Sequence, residues 1–595
     1  MKPELSSLQR WLVLTMLGLA GVYCAVILVV QLGRPLYTDD MWWHLRTGQI
    51  ILEHGFPTQD PFLFTAHSDK PFFHEWLFQV ILASVHSVVG LYGLRFYHVF
   101  MGGICLWSVW RYARSMGCDR WLAFLATGTL VVFAYQRLYQ MRPDLFTIFC
   151  FYLALSLFNR GLIDGWRRTS MALFCLIIVF WGNAHSLVMV YLPMVSAACG
   201  IALMYRHPNA RSSVTVMGLS MAALSLNPRG PHLYTFFFAH NANNPLSLVI
   251  DEWGAFTFFR IPPYFPLSSP TLHIATFCLS LALLAATILI AKRFVSSRQT
   301  AEMAEMLLTV QAVLALAALV YAIRFLWMVP VIIVAMQHHL RRWPVFSSML
   351  FLITVVCHFN HPSTQATFFP LSHPYQRDLY RRMAFDAIKF NHRAVAFLKD
   401  HELHGNVLNP YFMGGYLAYW LPQSRTFVDG RFDRYSAEVD ADQNALKNGS
   451  GNWVSLSDKY RFDMVIAPHT QDWQPCIAAL TALEWPLIYS DADSSIYARP
   501  SYWSAHSEQL AHIWQVPDEK AVMNETIKRQ AERDWLARYH GSLTTPETDL
   551  QASLIWIDIE RAREVLRQHR ELEKTDWVTS LRHIQQIMRA VAAPK

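Results

Sequence analysis

Long apolar runs, separated by short polar or basic segments, fill most of the first 357 residues of the chain. The first run, Trp11–Leu32, is long enough to cross a bilayer, and no small-residue cleavage site follows it, so we expect a retained transmembrane helix. Ten further runs meet the hydropathy criterion for spans: Tyr92–Trp110, Trp121–Tyr135, Leu145–Phe158, Met171–Trp181, Leu187–Tyr205, Val214–Leu226, Ile274–Ala291, Met306–Ile323, Phe325–Met336 and Val345–Cys357. Several are shorter than the roughly 20 residues a crossing needs, so their ends must extend into flanking loops. The pattern predicts a polytopic α-helical membrane protein with about eleven transmembrane helices.

The segment Trp76–Gly90 is apolar enough to be mistaken for another span. Its polar residues recur at helical spacing, at Glu75, Gln79 and His86, and apolar residues form the opposite stripe, at Leu77, Ile81, Val85 and Val88. Two opposed stripes are typical of an amphipathic helix that lies in the membrane interface. We therefore predict that this segment lies along the membrane and does not cross it.

The basic residues support this choice. If Trp76–Gly90 does not cross, every short basic loop falls on one side of the membrane, as the positive-inside rule requires. These loops carry Lys2, Arg10, Arg111, Arg114, Arg120, Arg160, Arg167, Arg168, Arg206, Arg211, Lys292, Arg293, Arg298, Arg341 and Arg342. The first loop, Gly33–Gly90, and everything after Cys357 then lie on the external side.

The chain after residue 358 has a mixed pattern. Short apolar runs predict strands at Asn406–Asn409, Thr426–Val428, Met464–Ile466, Leu487–Tyr489 and Ser495–Ala498. Helical stretches such as Asn391–Asp400 and Ala437–Lys447 alternate with them, which favours a small soluble α/β domain. From Tyr502 onward the pattern is helical. We therefore predict a transmembrane domain over residues 1–358 with its first external loop at 33–90, an external α/β domain over 359–500 and a helical C-terminal region over 501–595.

Composition agrees with a membrane protein, since 53% of the residues are hydrophobic and only 16% are charged, against about a quarter in soluble chains. The net charge of +7 is spread along the 595 residues without a long basic run, which argues against a nucleic-acid partner. Of nine cysteines, only Cys476 lies in the soluble part, so that part cannot form an internal disulfide. No CxxC pair indicates a metal site.

The densest group of chemically capable residues is in the first external loop. It reads Thr38-Asp39-Asp40-Met41-Trp42-Trp43-His44-Leu45, and it is followed by Asp60-Pro61 and by His74-Glu75-Trp76. The alternative to a functional role is structural, because an aspartate can cap the helix that follows and tryptophans belong to interfacial aromatic belts. The residues alone leave both interpretations open.

Other polar residues of the external face are Arg137, Arg142, Asp144, Asn183, His185, Asn227, Glu252 and Arg324. Arg324 lies between two apolar runs, where a charge is costly unless it meets a cavity or a partner, so we predict a functional role; the alternative is a side chain that snorkels at a helix end. His185 is equally consistent with a histidine that bonds a neighbouring loop. Asn227-Pro228 predicts a helix-ending turn, and Gly414-Gly415 favours close packing over anion binding.

Several of these motifs resemble a group of bacterial membrane proteins assigned to the GT-C glycosyltransferase superfamily. The first are Asp40-x-Trp42-Trp43-His44-Leu45, Gly48, Asp60-Pro61-Phe62 and His74-Glu75-Trp76-Leu77. Later matches keep the same order: Arg142-Pro143, Trp181-x-Asn183-x-His185, Asn227-Pro228, Glu252-Trp253, Arg324, Gly414-Gly415-Tyr416-Leu417 and Asp429-Gly430-Arg431. The resemblance extends to about Ala498 and does not include the residues after Tyr502.

The resemblance implies an enzyme that takes a sugar from a polyprenyl-phosphate carrier, as protein O-mannosyltransferases, aminoarabinose transferases and oligosaccharyltransferase catalytic subunits do. It implies transfer with inversion at the outer face of a bacterial inner membrane, with the C-terminal domain on the periplasmic side. An acidic residue of the first loop is then catalytic, and by register with the tryptophans it is Asp40, with Asp39 as the helix cap. The family pattern separates its acidic pair by one residue, whereas these two are adjacent and no DxD motif is clear, so we predict no required metal and no certain cofactor.

An in-line displacement needs a base for the acceptor hydroxyl and cations for the departing phosphate. We assign Asp40 as the base and Arg324, Arg142 and His185 to the phosphate. The remaining substrate-binding candidates are Asp39, His44, His74, Glu75 and Asp144. The expected partners are a lipid-linked sugar donor, an unidentified glycan, lipid or protein acceptor, and the bilayer.

Two other classes stay open. A transporter or lipid-handling protein would place ionisable residues in mid-helix and broken helices in paired halves. A non-catalytic scaffold or assembly protein could use the same helical framework.

Overall fold

The computed structural model describes residues 6–32, 34–66, 74–235, 303–359, 384–385, 389–431, 434–470, 472–490 and 494–507. Within them the chain is mostly helical and contains one five-stranded sheet. Two compact units divide the chain: the first comprises Met1–Thr38, Thr47–Leu52 and Phe72–Phe385, and the second comprises Asp39–Arg46, Glu53–Pro71 and Asp386–Lys595. The domain boundaries at residues 358 and 500 stay predictions.

Apolar helices build the first unit. Helix α2 (Asp39–His54) contributes residues to both units. The other described helices of the first unit are α1 (Ser7–Leu32), α3 (Trp76–Ser115), α4 (Arg120–Phe133), α5 (Tyr135–Leu138), α6 (Asp144–Asp164), α7 (Arg168–Ala184), α8 (Tyr191–Met204), α9 (Ala210–Leu224), α10 (Met303–Tyr321), α11 (Val329–Ala335), α12 (Gln337–Arg342) and α13 (Pro344–Phe359). Short 3-10 helices precede α8 at Ser186–Val190 and α11 at Ile323–Met328.

Ten of the eleven predicted spans fall on these helices, and the eleventh, Ile274–Ala291, lies outside the described residues. Five helices are long and apolar enough to cross a membrane by themselves: Ser7–Val30, Trp76–Ser115, Asp144–Asp164, Ser186–Met204 and Met303–Tyr321. The others are apolar but shorter, because loops interrupt them before a full crossing length is reached. The total number of crossings stays a prediction.

Helix α3 is two helices joined at Gly90. Gly90 has a φ of 66° and a ψ of −178°, which is outside the helical region and suits a residue without a Cβ. This break lies at the predicted end of the amphipathic segment. In the first half, Gln79 is buried and Val88 is 84% exposed, so the polar side faces protein and an apolar side chain faces outward. The orientation of this half to the membrane stays a prediction.

Helix α1 shows how the first unit divides its apolar residues. One side of α1 packs against α4 and α13 in a core that includes Leu17, Ala20 and Phe351. On the opposite side, Leu14 is 70% exposed and Val22 is 65% exposed. A helix that is apolar all round is suited to a hydrocarbon environment, where its outer side chains meet lipid.

One pair of buried amides links two helices of the first unit. The Asn159 amide of α6 donates to Gln311 Oε1 of α10 over 2.9 Å, and the Gln311 amide donates back to Asn159 Oδ1 over 2.8 Å. A reciprocal amide pair satisfies both groups without leaving a charge in an apolar core, so it fixes the two helices to each other.

A small mixed sheet forms the centre of the second unit. Its strands are β1 (Asn406–Leu408), β2 (Arg425–Thr426), β3 (Met464–Pro468), β4 (Leu487–Ser490) and β5 (Ser494–Ala498), in the order β2-β1-β3-β5-β4. β1 pairs in parallel with β2 and β3, whereas β5 pairs antiparallel with β3 and β4. All five strands lie where the apolar runs predicted them.

Helices connect and flank these strands. They are α14 (His392–Asp400), α15 (Tyr411–Trp420), α16 (Ala437–Lys447), α17 (Trp453–Tyr460), α18 (Gln474–Ala482) and α19 (Pro500–Ala505). Central strand β3 is buried along its whole length, as a strand covered on both faces should be. Of the predicted C-terminal helical region, only α19 and the adjoining turn fall within the described residues.

The first loop supplies a further segment to this sheet. The Thr426 N–H of edge strand β2 donates to Phe62 O over 2.9 Å, and the Phe64 N–H donates to Thr426 O over 3.2 Å. Leu63 and Thr426 thus form a parallel bridge, and Leu63 is buried in the core of this unit. Covering an edge strand in this way satisfies backbone groups that would otherwise be exposed.

Candidate functional site

The two adjacent aspartates at the start of α2 have different partners. Asp39 Oδ1 forms an ion pair with Lys389 Nζ at 2.5 Å. Asp40 Oδ1 accepts a hydrogen bond from the Trp43 indole N–H over 3.2 Å. Both carboxylates lie in the first helical turn, where a negative charge interacts favourably with the helix dipole. Asp39 is therefore engaged by a cation, and Asp40 by a neutral donor three residues further along the same helix.

The tryptophans after the aspartates are buried within the second unit. Trp42 is fully buried and makes edge contacts with Phe390 and Tyr416. Trp43 is 9% exposed, and its ring lies 3.6 Å from the buried His44 ring, centroid to centroid. Such burial is unlike an interfacial aromatic belt, in which the indole rings sit at the headgroup level.

Two glycines lie closely against α2. A Cβ at Gly430 would lie 2.4 Å from Asp40 Oδ1, and one at Gly415 would lie 3.0 Å from the Trp43 backbone nitrogen. A Cβ at Gly414 would lie 2.2 Å from Val428 O. The double glycine thus lets α15 pack closely against α2 and against the segment after β2, which agrees with the packing role predicted for it.

Arg431, next to Gly430, is held between two buried carboxylates. Its Nη1 donates to Asp60 Oδ2 over 2.9 Å, and its Nη2 donates to Asp429 Oδ2 over 2.6 Å and to Asp60 Oδ1 over 3.1 Å. Asp60 also caps its own turn by accepting the Phe62 and Leu63 N–H groups. Both aspartates belonged to recognised motifs, but the sequence carried no signal that they share one arginine.

In the triad of Arg431, Asp60 and Asp429, the pKa of one carboxyl group is lowered and that of the other is raised. For Asp60, burial raises the pKa, but the charge and hydrogen bonds of Arg431, with two backbone N–H groups, outweigh it and hold the pKa below its usual range. For Asp429, burial is the larger effect and raises the pKa despite Arg431. Asp60 is therefore the carboxylate that Arg431 keeps ionised most firmly.

A second ionic cluster lies in the first unit around Asp144, at the N-terminus of α6. The closest approach of Arg324 is 3.5 Å, between its Nη2 and Asp144 Oδ1. Arg137, Arg142 and His185 also act electrostatically on this carboxylate. Asp144 is only 4% exposed, so these cations surround a buried negative charge.

Glu75 is a second carboxylate of this cluster. Its Oε1 lies 3.4 Å from His185 Nε2 and 3.5 Å from His74 Nε2. The other ring nitrogen of His185, Nδ1, is 2.7 Å from Thr147 Oγ1. His185 is thus held on both ring nitrogens, as expected for a histidine that positions its neighbours.

The remaining candidates have structural surroundings. The Asn183 Oδ1 accepts the Trp76 indole N–H over 2.8 Å, which ties α7 to the start of α3. Asn227 bonds Leu224 O and Gly230 O, so it ends a helix as the Asn-Pro pattern predicted. Glu252 lies outside the described residues. Within the residues that are described, no three or more His, Cys, Asp or Glu side chains come together in a way that could hold a metal ion.

No protein-family model and no curated protein matches the sequence. Solved structures do match. The oligosaccharyltransferase AglB from Archaeoglobus fulgidus, in complex with an inhibitory peptide and a dolichol-phosphate, aligns with 96% of this chain and 87% of its own at 12% identity and a TM-score of 0.53. The same enzyme tethered to an acceptor peptide that contains the NVT sequon aligns with 82% of this chain and 74% of its own, at 14% identity and a TM-score of 0.50. ArnT from Cupriavidus metallidurans in the apo state aligns with 84% of this chain and 99% of its own, at 13% identity and a TM-score of 0.37.

Proposed function

Because this chain is an integral membrane protein with the GT-C glycosyltransferase fold, we propose that it transfers a sugar from a polyprenyl-phosphate-linked donor to an acceptor at the external face of the membrane. The observation that carries the proposal is the placement of Asp40. Its carboxylate lies in the first turn of the helix that follows α1, with one oxygen fixed by an indole N–H. We assign Asp40 as the general base of an inverting displacement.

The contacts of the two adjacent aspartates support this assignment. Asp39 is held in an ion pair with Lys389 at 2.5 Å. Asp40 accepts the Trp43 indole N–H on Oδ1, which orients its carboxylate. A base must be ionised and oriented toward the proton it removes, so Asp40 is better suited to this role than Asp39.

The arginines around Asp144 supply the second requirement, a cationic group for the departing phosphate. We assign Arg324 and Arg142 to the carrier phosphate, and His185, Glu75 and His74 to the sugar. The contact of Arg324 with Asp144 is long, at 3.5 Å, so the guanidinium can exchange that contact for a closer bidentate one with phosphate.

The expected partners of this chain are proposed from what proteins of similar fold bind. The archaeal oligosaccharyltransferase binds dolichol-phosphate in one structure and an acceptor peptide in another. We extend to this chain a polyprenyl-phosphate-linked donor and an acceptor that presents a nucleophilic group, whether on a glycan, a lipid or a protein.

We also propose the topology that the basic loops indicate. About eleven helices cross the bacterial inner membrane, Trp76–Gly90 lies along its outer surface, and the sheet-containing unit is periplasmic. Labelling of single-cysteine variants at Ser6 and Ser501 with a membrane-impermeant maleimide in intact cells tests this topology. Ser501 should react from outside, whereas Ser6 should react only after lysis. Reaction of both from outside would contradict it.

Lipid mass spectrometry of cells with and without the gene tests the function. The deletion strain should accumulate one polyprenyl-phosphate-linked sugar, and the wild-type gene should remove it. The Asp40→Asn variant keeps the size and helix-capping ability of the residue but lacks a base, so it should leave the lipid accumulated, with transfer lower by about 10²–10⁴-fold. The Asp39→Asn variant is the matched control and should restore transfer. Full activity of Asp40→Asn would remove the central residue of the proposal.

A further inference from the structure

The turn after β2 lies directly against the proposed base. A Cβ at Gly430 would come within 2.4 Å of Asp40 Oδ1, closer than a real Cβ contact allows. The absence of a side chain at Gly430 therefore leaves the space that the Asp40 carboxylate occupies. This contact joins two parts of the second unit that are almost 400 residues apart in the sequence.

Trp43 is held by neighbouring residues of the second unit. Its backbone nitrogen and indole lie against Gly415, where a Cβ would come within 3.0–3.2 Å of Trp43 atoms. The guanidinium of Arg431 lies 5.8 Å from the centre of the Trp43 ring, within the range of a cation–π interaction. Trp43 is 9% exposed, so its indole has little freedom to rotate away from Asp40.

Arg431 is itself immobilised. It donates to both Asp60 and Asp429 within 2.6–3.1 Å, and its guanidinium also lies 4.7 Å from the centre of the Phe62 ring. A planar guanidinium held by two carboxylates has one allowed orientation. The contacts therefore run without interruption from this ion-paired triad, through Arg431 and Trp43, to the Asp40 carboxylate.

We propose that Trp43, Gly430 and Arg431 are positioning residues of the transfer site: Trp43 fixes the orientation of the Asp40 carboxylate, and the Asp429-Gly430-Arg431 turn fixes Trp43 and keeps the space beside the carboxylate open. The sheet-containing part of the second unit thereby sets the orientation of the Asp40 carboxylate. This inference rests on the proposed role of Asp40.

The chemistry explains why such positioning matters. A general base accepts its proton along a lone pair, and rotation of the carboxylate moves that lone pair away from the acceptor. The hydrogen bond from the indole N–H to Oδ1 holds the plane of the carboxylate. A displacement of a catalytic group by about 1 Å lowers the rate by roughly 10²-fold. A Cβ at Gly430 would lie 2.4 Å from Oδ1 and would force that oxygen to move.

Two pairs of variants separate positioning from folding. Trp43→Phe removes the N–H donor, and Trp42→Phe makes the same change at the neighbouring, fully buried tryptophan. Gly430→Ala introduces a Cβ against Asp40. Gly449→Ala is its control, because its Cβ would come within 2.5 Å of Pro475 O, away from Asp40. Gly449 also has a φ of 61°, so Gly449→Ala carries at least the structural cost of Gly430→Ala.

The first readout is the reaction of Asp40 with dicyclohexylcarbodiimide in the purified full-length protein, measured by peptide mass spectrometry at one pH. The reagent reacts with the protonated carboxyl group, and loss of the N–H donor favours that form. Trp43→Phe should raise the Asp40 modification rate by about tenfold, and Trp42→Phe should leave it unchanged. Equal rates in the two variants would overturn the positioning role, whatever the activity of the protein.

The second readout is transfer by the same purified variants, with the lipid extract of the deletion strain as donor. Gly430→Ala should lower the maximal rate by about 10²-fold with the half-saturating amount of extract unchanged, whereas Gly449→Ala should keep the wild-type maximal rate per folded protein. If Asp40→Asn is inactive but Gly430→Ala behaves like Gly449→Ala, the positioning inference fails and the proposed function stands. If the wild-type protein transfers no sugar from this extract, the proposed function fails.

Discussion

The two units hold their buried charges in different ways. In the second unit, Arg431 contacts Asp60 and Asp429 within 2.6–3.1 Å, so its planar head is fully occupied by protein. In the first unit, the Arg324–Asp144 contact is 3.5 Å long and the Glu75–His185 contact is 3.4 Å long. The charged side chains of the two networks are buried to a similar extent. The network of the second unit is therefore closed, with several short bonds to one arginine, whereas that of the first unit is loose, with longer contacts, and short multiple bonds are what a structural role requires.

The largest expected effect comes from breaking the closed network. Arg431→Met removes the cation and leaves Asp60 and Asp429 buried side by side, which should lower the free energy of unfolding of the second unit by about 3–5 kcal/mol. Denaturant titration of the full-length protein in detergent, followed by proteolysis of the sheet region, measures this loss.

A control distinguishes charge from packing. Asn409 bonds the Phe427 N–H and Val428 O in the same part of the sheet without carrying charge. Asn409→Leu keeps its size and changes no charge, and it should cost less than Arg431→Met because it leaves neutral groups and not charges unpaired. If Arg431→Met is as stable as the wild type, the network has no structural role.

The second effect concerns the loose network. Arg324→Ala should weaken binding of the lipid-phosphate donor by about 10–100-fold, because a charge-assisted bond to phosphate contributes roughly 1.5–3 kcal/mol. The melting temperature of the variant separates a loss of donor binding from a loss of folding. Retention of polyprenyl phosphate by purified protein, with Arg341→Ala as the comparison, measures the change. Arg341 pairs with Asp119 on the predicted cytoplasmic side, so its loss should not affect the donor. Equal retention by the two variants would contradict the assignment of Arg324.

A third effect is a dependence on pH that belongs to the closed network alone. The pKa of Asp60 is lower in the folded protein than its usual value of about 4. An acid with a depressed pKa contributes stability that is complete above the unfolded value and is lost as the pH falls through the folded value. Asp429, with a raised pKa, contributes with the opposite sign above about pH 4.

Hydrogen exchange of the strand amides between pH 6 and 3 measures this dependence. The wild-type second unit should lose protection below about pH 4. Asp60→Asn should remove most of that acid-side slope, although it also lowers stability at neutral pH. An unchanged slope in the variant would show that other groups drive the acid sensitivity.

The smallest expected effect is that of Glu75→Gln. This change preserves size and removes the charge that faces His74 and His185, at contacts of 3.4–3.5 Å. Folding should change by less than about 1 kcal/mol. Transfer should fall more than stability if Glu75 contacts the sugar, and the maximal rate with deletion-strain lipid extract measures it. Gln79→Glu, one turn along the same helix, tests the effect of an added charge there.

Local patterns in the sequence predicted most of the elements. Apolar runs located ten helices and all five strands, because burial on one face or on all faces leaves a period that can be read along the chain. The boundaries were less exact. The run Met171–Trp181 became the longer helix Arg168–Ala184, since polar and charged residues continue a helix beyond its apolar part.

The site was only partly predictable. Asp39 was expected to cap α2, but the helix already includes it and its carboxylate pairs with Lys389, a residue 350 positions further along. The pairing of Asp60 with Arg431 spans 371 residues, and no local pattern specifies a partner at that distance. The contact of Gly430 with Asp40 depends on three-dimensional closeness of the same kind. The motifs indicated that these residues belong together, but they did not indicate which side chains are in contact.

The pairing of the first loop with strand β2 has a consequence for the synthesis of the protein. Phe62 and Thr426 are hydrogen-bonded although 364 residues separate them. Ribosomes add about 5–20 residues per second, so the first loop must wait on the order of half a minute before its partner strand exists. During that wait, Phe62 and Leu63 are exposed apolar residues beside an unpaired backbone, a state prone to aggregation. We therefore expect this loop to depend on a folding chaperone while the intervening helices insert, and a truncated chain that ends before residue 426 to be degraded.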